Sequence, residues 1–139
     1  MLVAVDANVI LSALLTKGRS FDVFAVNKLI RRFEFIAPEY LLFEIGKNLD
    51  EIVERSKLSP KELGSVFRFI KKEIDFIPFP EFNEYADEAS PLAPHEKDVQ
   101  YFALALCFNC PIWSGEKAFK YQSKVKVFST SDLISFVYP

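Results

Sequence analysis

Soft metal ligands are scarce in this chain, which has two cysteines and one histidine, too few for the nitrogen and sulfur donors of a structural zinc site. Cys107 and Cys110 have a Cys-x-x-Cys spacing, but they fall at the end of an apolar helical pattern, just before Pro111. The negative end of a helix opposes thiolate formation there, so the pair reads as core packing rather than as a redox couple. Long hydrophobic runs are also missing. Nothing approaches the roughly 20 apolar residues that cross a bilayer, and the first residues lack the basic start, apolar stretch and cleavage site of a secretory signal. The expected location is cytoplasmic, with no membrane partner. Nor is there an excess of positive charge. With 17 basic against 19 acidic side chains, a net charge of −2, the chain is poorly suited to grip nucleic acid by phosphate neutralisation alone. An acidic site that meets phosphates through cations is compatible with that balance.

What the chain has in quantity is apolar and aromatic side chains: half of its residues are hydrophobic and 15 are phenylalanine. Its 139 residues suit one domain, 1–139, that can bury a core without disulfides. Leu2-Val3-Ala4-Val5 reads as a buried parallel strand that runs into Asp6 and then into a helical stripe of Val9, Ile10, Ala13 and Leu14. Ser20 is expected to cap a second helix whose Val23, Phe24, Leu29 and Ile30 face inward. Residues 33–37 alternate as strand two. Pro38 is expected to open one long helix through about Arg55, and Ser59-Pro60-Lys61-Glu62 starts another.

Residues 74–78 read as strand three, residues 90–94 as a loop, and Asp98 begins the most apolar helix of the chain. Residues 111–114 read as strand four and 124–128 as strand five, with Thr130 as the expected cap of a last helix. The alternation favours a three-layer α/β/α fold with a central, mainly parallel sheet of about five strands. No repeat or low-complexity tract interrupts it.

Three acids far apart in the chain fall at matching places. Asp6 leaves strand one, Glu116 leaves strand four, and Asp98 opens the helix that leads to strand four. If those strands are neighbours where the strand order reverses, their exits converge on the edge where open α/β sheets bind ligands. Glu44, early in its helix, is the natural fourth member. Clustered carboxylates repel one another unless a cation sits among them, and hard cations such as Mg²⁺ prefer carboxylate oxygen. Each acid also has a plain alternative as a helix cap or dipole partner.

These residues carry a family resemblance. Asp6-Ala7-Asn8-Val9-Ile10-Leu11, Glu44, the run from Asp98 to Leu106, and Pro111-Ile112-Trp113-Ser114-Gly115-Glu116-Lys117-Ala118-Phe119 resemble the PIN-domain family over nearly the whole chain. That family includes metal-dependent ribonucleases and the toxins of VapBC toxin-antitoxin pairs. The resemblance implies a PIN-like fold with Asp6, Glu44 and Asp98 as metal-binding acids, and Asn8 and Ser114 as polar support. It departs at strand four, where the family pattern usually has Asp at the position of Glu116 and often Asp at that of Ala118. With Glu116 as the fourth ligand, the expected activity is Mg²⁺ or Mn²⁺-dependent cleavage of single-stranded RNA, with Lys117, Lys120 and Lys124 near the same edge to guide phosphates. An antitoxin protein is the further partner implied. A degenerate module that binds RNA or protein without cutting is the alternative. A haloacid-dehalogenase-like phosphatase, suggested by Asp6-Ala7-Asn8, lacks its second carboxylate at Asn8. His95 reads as an incidental loop residue or a general acid near Asp98. Phe69, Phe76, Phe79 and Phe82 are expected to leave an aromatic surface that supports a homodimer or receives an antitoxin helix.

Overall fold

In the computed structural model, which describes residues 1–138, the chain alternates strands and helices from its first residues. β1 (Leu2–Val5) is followed by α1 (Ala7–Thr16), α2 (Gly18–Ile30), β2 (Glu34–Pro38), α3 (Tyr40–Lys47), α4 (Leu49–Arg55), α5 (Pro60–Lys72) and β3 (Ile74–Ile77). Short 3₁₀ turns and α6 (Ala86–Ala89) then lead to α7 (Val99–Phe108), β4 (Ile112–Trp113), β5 (Val127–Phe128) and α8 (Thr130–Val137). The strands form one five-stranded sheet in the order β3-β2-β1-β4-β5, every pairing parallel. The sheet grows outward from β1 in one direction, then resumes on its other side with β4, so the order reverses between these two strands.

Helices cover the sheet and complete the α/β/α sandwich. α7 packs against β1, β2 and β4, its Ala103 and Ala105 fully buried because small side chains let the helix approach closely. From α2, Phe24 reaches Phe35 and Trp113, with ring centroids 5.0 Å from each. Val3, Ala4 and Val5 are wholly inaccessible to solvent, as expected for a central parallel strand covered on both faces.

Local chemistry shifted several expected boundaries. α2 starts at Gly18 rather than after Ser20, because Lys17 takes a positive φ of 68° and Gly18 one of 43°, turning the chain at once. Ser20 is instead a buried helical residue with its Oγ 3.5 Å from Thr130 Oγ1. Leu29 and Ile30 are exposed, at 84% and 48%. Asn27 takes the inner face and clamps the α2 to β2 turn, accepting from Phe33 N–H (2.8 Å) and donating to the Phe33 carbonyl (3.0 Å). Pro38 closes β2 instead of opening a helix. The long helix expected to follow it is two helices, broken at Asn48, whose side-chain amide donates to the Glu44 carbonyl at 2.8 Å and so competes with the helical backbone.

β5 is shorter than expected. The cap of α8 is Ser129, not Thr130: Ser129 and Asp132 form a reciprocal capping box. The aromatic surface expected near β3 is mostly covered. Phe82 is inaccessible, Phe69 and Phe76 are half-buried, and Phe69 packs on Phe21 at 5.5 Å; of the four only Phe79 is exposed. Among the described residues no helix is long and apolar enough to cross a membrane.

Candidate metal centre

β1 and β4 run in register, with Ala4 opposite Ile112 and Val5 opposite Trp113. The next residue of each strand is therefore level with the other, at the carboxyl edge and at the reversal of strand order. Those residues are Asp6 and Ser114. Asp6 N–H continues the ladder to the Trp113 carbonyl at 3.0 Å, and the Ser114 hydroxyl donates to Asp6 Oδ2 at 2.8 Å. The same hydroxyl accepts from Glu116 N–H at 3.0 Å, so one side chain fixes both acids. Asn8 Nδ2 donates to Glu116 Oε2 at 3.4 Å from the first turn of α1.

Asp98 arrives from the helix above. It ends the 3₁₀ turn Glu96–Asp98 that leads into α7. Asp6 and Asp98 hold the N-cap positions of α1 and α7, yet neither side chain makes a cap hydrogen bond. Neither carboxylate is therefore spent on a capping hydrogen bond. Both are 3% exposed. Burial, helped by the charges of Asp98, Glu116 and Glu44, lifts the Asp6 pKa to about 7 despite the Ser114 hydrogen bond. Burial and then the Glu116 charge push Asp98 upward too. Among the described residues Asp98 Oδ2 is buried without any hydrogen-bond partner.

Glu44 reaches the cluster from α3. It is half-buried and accepts from the Tyr101 hydroxyl at 2.5 Å, and its charge contributes to the upward shift of Asp6. Burial and Glu44 together raise the phenol of Tyr101 far above its ordinary range. Tyr40, one turn before Glu44 on α3, has its phenol raised by burial and by the Glu44 charge. Asp98, Glu116 and Glu44 all lie near enough for their charges to act on Asp6, and these oxygen donors, one of them buried and unpartnered, fit a hard divalent cation.

The lysines divide. Lys117 is exposed and directly follows Glu116. Lys120 lies 3.7 Å from Asp132. Lys124 pairs with Glu88 at 2.6 Å and lines a groove with Asn109, Cys110 and Pro111, at the amino end of β4. The expectation that Lys124 shares the acidic edge therefore fails, because it precedes β5 instead of following it. Lys97, beside Asp98, supplies the nearer positive charge.

Two further residues stand at the site. Tyr101 enters the sequence reading only as part of the apolar run after Asp98, although its position one turn beyond Asp98 on α7 was the available signal. His95 has its Nε2 4.0 Å from Glu116 Oε1. Cys107 and Cys110 are unpaired; burial lifts the Cys110 thiol to about 11 and raises Cys107 as well, in keeping with packing and not redox chemistry.

Comparison with known proteins agrees with this architecture. The family model described as PIN domain matches residues 4–131. Among solved structures, a chain of the crystal structure of VapBC2 from Rickettsia felis bound to a DNA fragment from their promoter superimposes with a TM-score of 0.69. The match covers 93% of this chain and 98% of that one at 14% identity, a likeness of fold. No curated protein matches.

Proposed function

The chain belongs to the PIN-domain family, and from that premise we propose that it is a divalent-metal-dependent endoribonuclease acting on single-stranded RNA, the toxin member of a VapBC-type pair. The observation that carries this reading is the convergence of Asp6, Asp98 and Glu116 at the reversal of strand order, with Asp98 Oδ2 buried and unpartnered. Carboxylates so placed cost stability on their own and are explained by a cation they serve together.

Asp6, Asp98 and Glu116 would hold Mg²⁺ or Mn²⁺, with Glu44 completing the acidic wall. When bound, the ion supplies Lewis-acid polarisation of a phosphoryl oxygen and a water activated for in-line attack. The chain's own residues set the geometry. Ser114 orients Asp6 and the backbone of Glu116, Asn8 orients the Glu116 carboxylate, and Tyr101 fixes Glu44. Lys97 and Lys117 flank the acids and suit the phosphates on either side of the scissile bond. The protein partner is an antitoxin, and self-association as a homodimer is part of the same proposal. Phe43 (63% exposed) and Val53 (49% exposed) supply apolar surface on α3 and α4.

The test is cleavage of an unstructured RNA by the purified chain with Mg²⁺, with Mn²⁺ and with chelator. Asp6→Asn and Asp98→Asn serve as controls against contaminating nuclease. Cutting that survives chelator or either substitution would sink the proposal. A second reading, a binding module without cleavage, is favoured by one observation: Glu116 and Ala118 stand where the family resemblance has Asp. RNA retention in a binding assay without cutting under either ion is its signature.

A further inference from the structure

We propose that His95 is a nitrogen ligand of the metal centre and that it turns the site toward first-row ions such as Mn²⁺ and away from Mg²⁺. This inference rests on the metal-centre reading above. His95 Nε2, one oxygen of Asp98 and one of Glu116 lie within 4.8 Å of one another. Ligands about 2.1 Å from a six-coordinate ion stand about 3 Å apart when adjacent and about 4.2 Å apart when opposite. A small contraction therefore brings all three donors onto one ion.

Local backbone structure sets the two residues side by side: Asp98 N–H donates to the His95 carbonyl at 2.9 Å, closing the 3₁₀ turn that leads into α7. The distance of 4.0 Å from Nε2 to Glu116 Oε1 is too long for a hydrogen bond, so the two groups face a shared space without being bonded to each other. Asp98, which supplies one of the three donors, has its Oδ2 buried with no partner among the described residues, an oxygen that a cation would satisfy. The His95 side chain is 61% exposed, which leaves it room to turn onto an ion.

The consequence follows from donor chemistry. Imidazole nitrogen suits the later first-row ions best, and Mn²⁺, although it favours oxygen, stands at the foot of that series and accepts nitrogen more readily than Mg²⁺, which demands oxygen and near-ideal octahedral placement. The extra methylene of Glu116, relative to Asp, carries its carboxylate outward to where the imidazole stands.

His95 is the only histidine in the chain, so an untagged protein allows an unambiguous measurement. Mn²⁺ is titrated into the full chain and the bound ion is observed by electron spin-echo modulation, with natural-abundance and ¹⁵N-histidine protein. We expect imidazole nitrogen coupling in the parent that changes with the label and vanishes in His95→Gln. Mn²⁺ affinity in that variant should fall on the order of tenfold, as losses of supporting ligand contacts do, while Mg²⁺ affinity stays within about twofold, since an oxygen-preferring ion gains little from imidazole. Bound Mn²⁺ with no histidine coupling, and equal affinity in His95→Gln, overturns the proposal while leaving the metal centre standing. Absence of binding by either ion overturns both.

Discussion

The hydroxyl of Tyr101, on α7, donates to Glu44 Oε1, on α3, at 2.5 Å, tying the helix that carries Asp98 to the helix that completes the acidic wall. The Tyr101 ring is 1% exposed, so the phenol serves the core with its ring and the site with its oxygen.

Tyr101→Phe should keep the core filled and lose only this bond. A hydrogen bond to a charged partner contributes about 1.5–3 kcal/mol. Because Glu44 is half-buried and water can replace part of the loss, the lower end is expected in urea denaturation. Glu44→Gln, whose amide oxygen still accepts, should cost less. Equal stability of Tyr101→Phe and the parent would show that the contact is without consequence.

Without metal, the protein should lose stability as pH rises. The folded-state pKa of Asp6 is about 7 against 3.8 for the free side chain, so the folded form binds the extra proton between these values. Its favourable contribution is complete below about pH 4 and is lost as pH climbs through about 7. Asp98 is shifted in the same direction. The loss should be a few kcal/mol, visible as a falling melting temperature from pH 5 to pH 8. Asp6→Asn should flatten that profile and melt higher at pH 8, and Mn²⁺ should restore the parent. A flat profile for the parent would remove the crowded-carboxylate account.

Substitutions at Glu116 separate cutting from binding. If Glu116 serves the metal, Glu116→Asp should preserve or raise RNA cleavage, and Glu116→Gln should lower it on the order of a hundredfold or more, the scale of lost charge at a metal-activated step. Cleavage gained only in Glu116→Asp with Ala118→Asp would establish the binding module. Indifference to both single changes would place Glu116 outside the site.

Ser129 and Thr130 should fail differently. Ser129→Ala removes the cap of α8 and should cost about 1 kcal/mol. Thr130→Val removes the acceptor of the Trp113 indole N–H at 3.0 Å, leaving a buried donor unpaired at about 1–3 kcal/mol. Trp113 is the only tryptophan, so fluorescence should shift in the second variant and stay nearly constant in the first. Because Asp132 is held below the usual carboxylate range by the Ser129 backbone N–H, its contribution is present at neutral pH and is lost as pH falls through its folded value. Ser129→Ala keeps that N–H, so most of the acid dependence should persist in the variant.

The apolar run before Asp6, the start signal at Ser59-Pro60, and the alanine-rich helix after Asp98 were legible because each depends on neighbours within a few residues. So was the α/β order, since periodicity of two or near four is a local property. Boundaries set by a single polar side chain were not legible. Asn27 turning inward to clamp Phe33, and Asn48 taking the Glu44 carbonyl, look from sequence like ordinary helix residues.

The acids could be named from the sequence because their types and places relative to strand ends are one-dimensional facts. Whether they are caps or a cluster was decided only in three dimensions. Parallel pairing of β1 with β4 brings residues 108 positions apart into hydrogen-bond contact, and α7 buries Asp98 without a partner for Oδ2. Lys124 falls away from the edge because it precedes β5, whose pairing with β4 is parallel, so it joins the amino end while the acids leave the carboxyl end. His95 comes beside Glu116 only because the turn that leads into α7 packs over the exit of β4, an outcome of the assembled layers and not of any local pattern.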